Sequence, residues 1–132
     1  MSNHRKLALN PYLISEYRYR ELLNFCRQYG EKKQKLAAER GLSAITYSGM
    51  PHGSGTGDPT AEKAERTQKW LQDIELIEET AKEVDPTIYQ SLVANVTNEH
   101  MPFEFLSVPC GRRQFYEARR KFFYLLDKKK KG

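Results

Sequence analysis

Asp58, Pro59 and Thr60 open a stretch in which Ala61, Ala64, Trp70, Leu71, Ile74, Ile77, Ala81 and Val84 form a long apolar stripe. Aspartate is a strong N-cap, proline is pre-shaped for the first helical turn, and Glu62 lies near the positive end of the helix dipole. The pattern predicts one amphipathic helix over residues 58–84, about seven turns long at 3.6 residues per turn. Its outer face carries Asp73, Glu75, Glu78, Glu79 and Glu83. That acidic face repels nucleic acid and suits pairing with a basic element of this chain or another. The stripe is long for a chain with so small a core, which also makes it a candidate surface for homo-oligomer formation.

The remaining segments read as helices separated by punctuation, with no strand series. Asn10 as N-cap and Pro11 at the first helical position start a helix expected over 11–40, with Leu22, Phe25, Cys26, Tyr29 and Leu36 at helical spacing. Gly30 weakens or ends it before a charged continuation, and Gly41 suits a C-cap. Five glycines fall between Gly41 and Gly57, so 42–57 reads as a flexible loop. Gly53, Gly55 and Gly57 resemble a phosphate cradle only superficially, since no strand precedes them and no Gly-Lys-Ser/Thr follows. After Asp85 and Pro86, Ile88, Leu92, Val93 and Val96 predict a further helix, broken at Asn98–Pro102. A short helical turn with Phe103, Phe105 and Leu106 precedes the turn Ser107–Gly111. The expected architecture is a single all-α domain over 1–132: two long helices joined by a Gly-rich loop, then a helix-turn-helix-like unit over 87–127 and a basic tail, 128–132.

Charge is distributed unevenly along this frame. The chain of 132 residues carries +5 overall, but residues 1–40 sum to +5, residues 41–110 to −7 and residues 111–132 to +7. At 30% charged residues and a mean hydropathy of −0.77, little apolar material remains beyond one modest core. The segment GRRQFYEARRKFFYLLDKKKK, 111–131, reads as one basic amphipathic helix. At about 100° per residue, Arg112, Arg113, Tyr116, Arg119 and Arg120 share one arc, and Phe115, Ala118, Phe122, Leu125 and Leu126 share another. Arginines in a first turn oppose the helix dipole, so folding alone explains Arg112 and Arg113 poorly. Lys128 to Lys131 suit a C-terminus and read as a tail giving non-specific electrostatic attraction. Short helix, glycine-containing turn and longer basic helix is the order of a helix-turn-helix, whose second helix enters the major groove by its N-terminal residues.

Catalytic chemistry finds no support in the residue pattern, and no enzyme is expected. His4, His52 and His100 are scattered, and Cys26 and Cys110 have no metal-ligand spacing, so neither a metal nor another cofactor is implied. Two cysteines without a signal peptide point to a reduced, cytoplasmic protein. No apolar run approaches the roughly 20 residues that cross a bilayer, so no membrane span is expected.

The stretch GSGTGDPTAEKAERTQKWLQDIELIEETAKEV followed by CGRRQFYEARRKFFYLL resembles the phage-encoded transcriptional regulators of the RinA and ArpU type. The similarity covers roughly residues 53–126. It implies an Asp-Pro-Thr helix start, a C-terminal sigma-region-4-like helix-turn-helix, and a role in late phage or prophage transcription in a bacterial host. It further implies that Arg112, Arg113, Gln114, Tyr116, Arg119 and Arg120 lie on the DNA-facing helix, with Phe115 and Phe122 as anchors. The segment Met101–Val108 departs from the pattern, being short and bracketed by Pro102 and Pro109.

On this reading double-stranded DNA is the partner. Arginine can bridge O6 and N7 of guanine and glutamine can pair with adenine, which makes Arg112, Arg113 and Gln114 the base-contact candidates. Arg119, Arg120 and Lys121, with the Tyr116 hydroxyl, are expected to hold phosphates. Two alternatives stand beside it. One is an adaptor for RNA polymerase or a phage packaging component, using the acidic helix. The other is an RNA-binding protein in which Tyr and Arg stack on unpaired bases.

Overall fold

The computed structural model describes residues 14–49 and 57–131. In chain order these form α1 (Glu16–Arg27), α2 (Tyr29–Gly49), α3 (Gly57–Val84), α4 (Tyr89–Thr97), a 3-10 turn (Phe103–Phe105) and α5 (Arg112–Lys131). There is no strand among the described residues, and the fold is all-α. They divide into two compact units, one of residues 29–75 and one of residues 14–28 with 76–131.

The first expected helix is divided differently from its prediction. Asn10 and Pro11 lie outside the described residues. Ile14 and Ser15 are non-helical, and α1 starts at Glu16, where the Ser15 side chain accepts from the Arg18 amide at 3.1 Å. This is a standard N-cap, reinforced by an acidic first residue. The break falls at Gln28 rather than at Gly30. Its amide donates to the carbonyls of Cys26 and Phe25, tightening the end of α1 before α2 begins. Gly30 is helical.

Gly41 does not end α2, which continues to Gly49, so the first part of the expected loop 42–57 is helical. One glycine in a helix interior costs only about 1 kcal/mol, and the following Leu-Ser-Ala-Ile-Thr-Tyr-Ser contains no proline to stop propagation. Residues 50–56, including Gly53 and Gly55, lie outside the described residues.

In the unit 29–75, α2 and the first part of α3 form an antiparallel pair. Lys32 bonds Asp73 at 2.9 Å, Lys35 lies over the Trp70 ring at 5.9 Å, and Glu39 meets Lys63 and Arg66 at 3.6 and 3.7 Å. These contacts run in opposite order along the two helices. Among the described side chains of this unit, Leu36 and Ile74 are the buried apolar ones. The Lys32–Asp73 pair is nearly closed off from solvent, with side chains only 11% and 16% exposed.

In the other unit, α1, α4 and α5 pack on one another in all three pairings. The core holds Leu22 and Cys26 of α1, Ile77 and Ala81 of α3, Leu92 and Val96 of α4, and Phe115, Phe122, Phe123 and Leu126 of α5. Each large side chain withdrawn from water contributes about 2–3 kcal/mol against the ordering entropy. Asp85 closes α3 and opens the next turn, its carboxylate accepting from the Thr87 amide at 2.9 Å. Asn98 ends α4 in extended backbone, where the expected break over 98–102 begins. No described helix is long and apolar enough to cross a membrane.

Candidate nucleic-acid interface

The orientation of α5 about its own axis decides which basic side chains reach solvent. Its buried positions are Phe115, Phe122, Phe123, Leu126 and Asp127. Ala118 and Leu125, expected inside, are only half-buried, whereas Phe123 and Asp127 lie within the core. Phe123 is drawn in by edge-on contact with Tyr19, ring centroids 5.0 Å apart, and with Phe122 at 5.1 Å. Asp127 follows because Arg18 of α1 binds its carboxylate through Nε at 2.6 Å. Burial by itself pushes the Asp127 carboxyl up. The hydrogen bond from Arg18 and the charges of Lys131 and Arg18 outweigh it and hold the group below the ordinary carboxylate range.

The arc predicted to face DNA is therefore split. Arg119 turns toward the packed side: Nε donates to Asn95 Oδ1 at 2.7 Å, Nη1 donates to the Tyr19 hydroxyl at 3.0 Å, and the guanidinium lies over the Phe123 ring at 5.1 Å. It ties α5 to α1 and α4, and only Nη2 is left without a bond among the described residues. Tyr116 is half-buried against Phe115 and Phe103. Arg120 is also half-buried and pairs with Glu117 along the helix.

Arg112, Arg113, Gln114 and Lys121 are exposed. Arg112 is ion-paired with Glu104 on the 3-10 turn and lies over the rings of Phe103 and Tyr116, at 5.8 and 5.6 Å. That hydrogen bond lowers the Glu104 carboxyl and raises the Arg112 guanidinium from their ordinary values. The pair supplies the negative charge that the first turn of α5 otherwise lacks. Arg113, Gln114 and Lys121 make no hydrogen bond or ion pair among the described residues. With Lys128, which lies over the Tyr124 ring at 5.1 Å, they form the solvent-facing side of the helix.

The short helical turn expected before α5 is a 3-10 turn of three residues, Phe103–Phe105, lying between Pro102 and Pro109. The α-helix preceding it is α4, separated from α5 by residues 98–111. Lys128 to Lys131 are not a tail but the last turn of α5. Lysine is a good helix former and suits a C-terminus, and Lys129 reaches Glu83 at 2.6 Å while Lys131 reaches Asp127 at 3.5 Å. The acidic stripe of α3 is accordingly committed in part within the chain, through Asp73 to Lys32 and Glu83 to Lys129.

Beside α5 a cleft of about 220 Å³ is lined by residues that include Arg27, Asn95, Asn98, Tyr116 and Arg119. Arg27, Asn95 and Asn98 were not singled out in the sequence. The one local signal was Asn95 itself, a polar residue inside the apolar run Leu92–Val96. Cys26 is buried, Cys110 is half-buried, and neither forms a disulfide. No group of three or more His, Cys, Asp or Glu side chains gathers among the described residues in a way that could hold a metal. No protein family, curated protein or solved structure matches the chain.

Proposed function

We propose that the protein is a phage or prophage regulator of transcription, of the RinA and ArpU type, which binds duplex DNA through the outer side of α5. The observation that carries this reading is the exposed set Arg113, Gln114 and Lys121. These groups make no bond within the described chain, on a helix whose opposite side is fixed by Phe115, Phe122 and Phe123. Arg113 and Gln114 stand in the first turn, where a recognition helix presents residues to base edges. Lys121 lies two turns further on, about 10 Å along the axis at 1.5 Å per residue, a span suited to a flanking phosphate. Arg112 adds a third positive charge once its partner Glu104 yields to a phosphate. Control of late phage genes follows from the sequence resemblance alone.

The adaptor reading draws less support, since Asp73 and Glu83 of the acidic stripe already have basic partners. RNA binding keeps one specific observation: Phe105, 72% exposed and next in sequence to the Arg112 partner Glu104, offers a face on which an unpaired base can stack. Selection from a random duplex pool, with single-stranded RNA as competitor, tests the assignment. An enriched duplex motif that RNA fails to displace supports the regulator. Recovery of no motif, with displacement by RNA, replaces it with the RNA-binding reading.

A further inference from the structure

The cleft beside α5 has a polar lining that the fold has already oriented. Arg27, the last residue of α1, donates through Nε to the carbonyl of Val96 at 3.1 Å, which leaves both terminal amino groups of its guanidinium without a bond among the described residues. Arg119 is held in the same manner from the neighbouring residue of α4, with Nε on Asn95 and Nη1 on Tyr19, so Nη2 remains. Two guanidinium groups lining one cleft are thus anchored through consecutive residues, Asn95 and Val96.

Two of the last four carbonyls of α4 already accept from side chains beside the cleft. Val96 accepts from Arg27, and Ala94 accepts from the Asn98 side chain at 2.9 Å. The Tyr116 hydroxyl, also on the lining, makes no hydrogen bond among the described residues. Glu99 is the single acid of the cleft. Its side chain is 76% exposed and lies 3.7 Å from the still more exposed His100, so it belongs to the rim. Anchored guanidinium forks lose little entropy on binding and match the oxygens of a tetrahedral anion. At about 220 Å³ the cleft is below the range of drug-sized pockets and suits a single group of that size.

We propose that this cleft binds a phosphate group, held by the two terminal amino groups of Arg27 and by Nη2 of Arg119, with the Tyr116 hydroxyl as a further donor. The group is either a backbone phosphate of duplex DNA, an option that rests on the function proposed above, or a free phosphate or phosphomonoester, which does not. The competing account is that Arg27 only caps α4.

Thermal unfolding of the full chain is followed by circular dichroism in rising sodium phosphate and in sodium chloride of matched ionic strength. A bound anion raises the midpoint along a saturating curve. General stabilisation by phosphate rises without saturation and is the same in every variant. The wild type is expected to show the saturating rise, and Arg27→Gln and Arg27→Lys to lose it while still unfolding cooperatively in chloride. The salt dependence of duplex affinity, measured for wild type and Arg27→Gln, then separates the sources. A slope shallower by about 0.9 in the variant assigns the cleft to a backbone phosphate. An unchanged slope, or absence of duplex binding altogether, together with the saturating phosphate effect assigns it to a free phosphate or phosphomonoester. In the second of those cases the DNA reading fails and the cleft stands. Absence of both the saturating rise and the slope change overturns the proposal and leaves Arg27 as a cap.

Discussion

Arg119 Nε donates to Asn95 Oδ1 at 2.7 Å, and the amide of the same Asn95 donates to the Met101 carbonyl at 3.0 Å. One side chain of α4 therefore holds both α5 and the segment that leads into it. Lysine at position 119 keeps the charge but offers no planar fork to serve Asn95 and Tyr19 together. Arg119→Lys is expected to lower stability by about 1–2 kcal/mol, read from the urea midpoint. An unchanged midpoint shows that the fork does not hold the helix.

The Arg18–Asp127 pair makes stability depend on acid. The folded carboxyl lies below its unfolded value of about 3.9, so its contribution is complete above that pH and disappears as pH falls through the lower folded value. Asp127→Asn should cost about 2 kcal/mol near neutrality. Urea unfolding of both proteins at pH 6 and in the acid range below pH ~4 is expected to show the gap closing. A gap of constant size rules out the pair as its source.

Local signals made the long α3 legible from the sequence: Asp-Pro-Thr at its start, an apolar stripe along it and Asp-Pro at its end. The all-α class followed from the same kind of punctuation, and so did the break after α4. The orientation of α5 was not legible. Phe115, Tyr116, Phe122, Phe123 and Tyr124 surround much of the helix, so periodicity alone permits several buried faces. The choice among them depends on Tyr19 and Arg18, and the Arg18–Asp127 contact spans 109 positions of chain. Arg27, whose contact with Val96 spans 69 positions, is likewise hidden from any reading of the basic helix. For Gly41 the competing rules were both local, and propagation through a proline-free stretch outweighed the preference of glycine for a helix end.

The Lys32–Asp73 bond offers a separate test in the unit of α2 and α3. Removing one charge takes the ion pair from a second charge that is nearly closed off from water, at a cost of about 3 kcal/mol or more. Asp73→Ala should therefore destabilise more than the paired replacement Lys32→Met/Asp73→Leu. Chemical denaturation of the three proteins measures the order, and a double variant no better than Asp73→Ala contradicts it.

Glu104 shares Arg112 with any phosphate that approaches the first turn of α5. Glu104→Gln removes a negative charge beside the proposed interface and releases the guanidinium. Duplex affinity should rise severalfold at low salt, and the salt dependence should steepen by about one phosphate contact. Equal affinity and slope in the two proteins place Arg112 away from the duplex.

The most direct measurement is fluorescence anisotropy with duplex from the gene's own neighbourhood and with scrambled duplex, at two salt concentrations. It compares wild type, Arg113→Ala/Gln114→Ala and Lys121→Ala. Wild type should prefer the native duplex at both salts. Loss of Arg113 and Gln114 should abolish the preference, while loss of Lys121 should weaken both duplexes alike. Equal, salt-labile binding of both duplexes by all three proteins would contradict a sequence-reading face on α5.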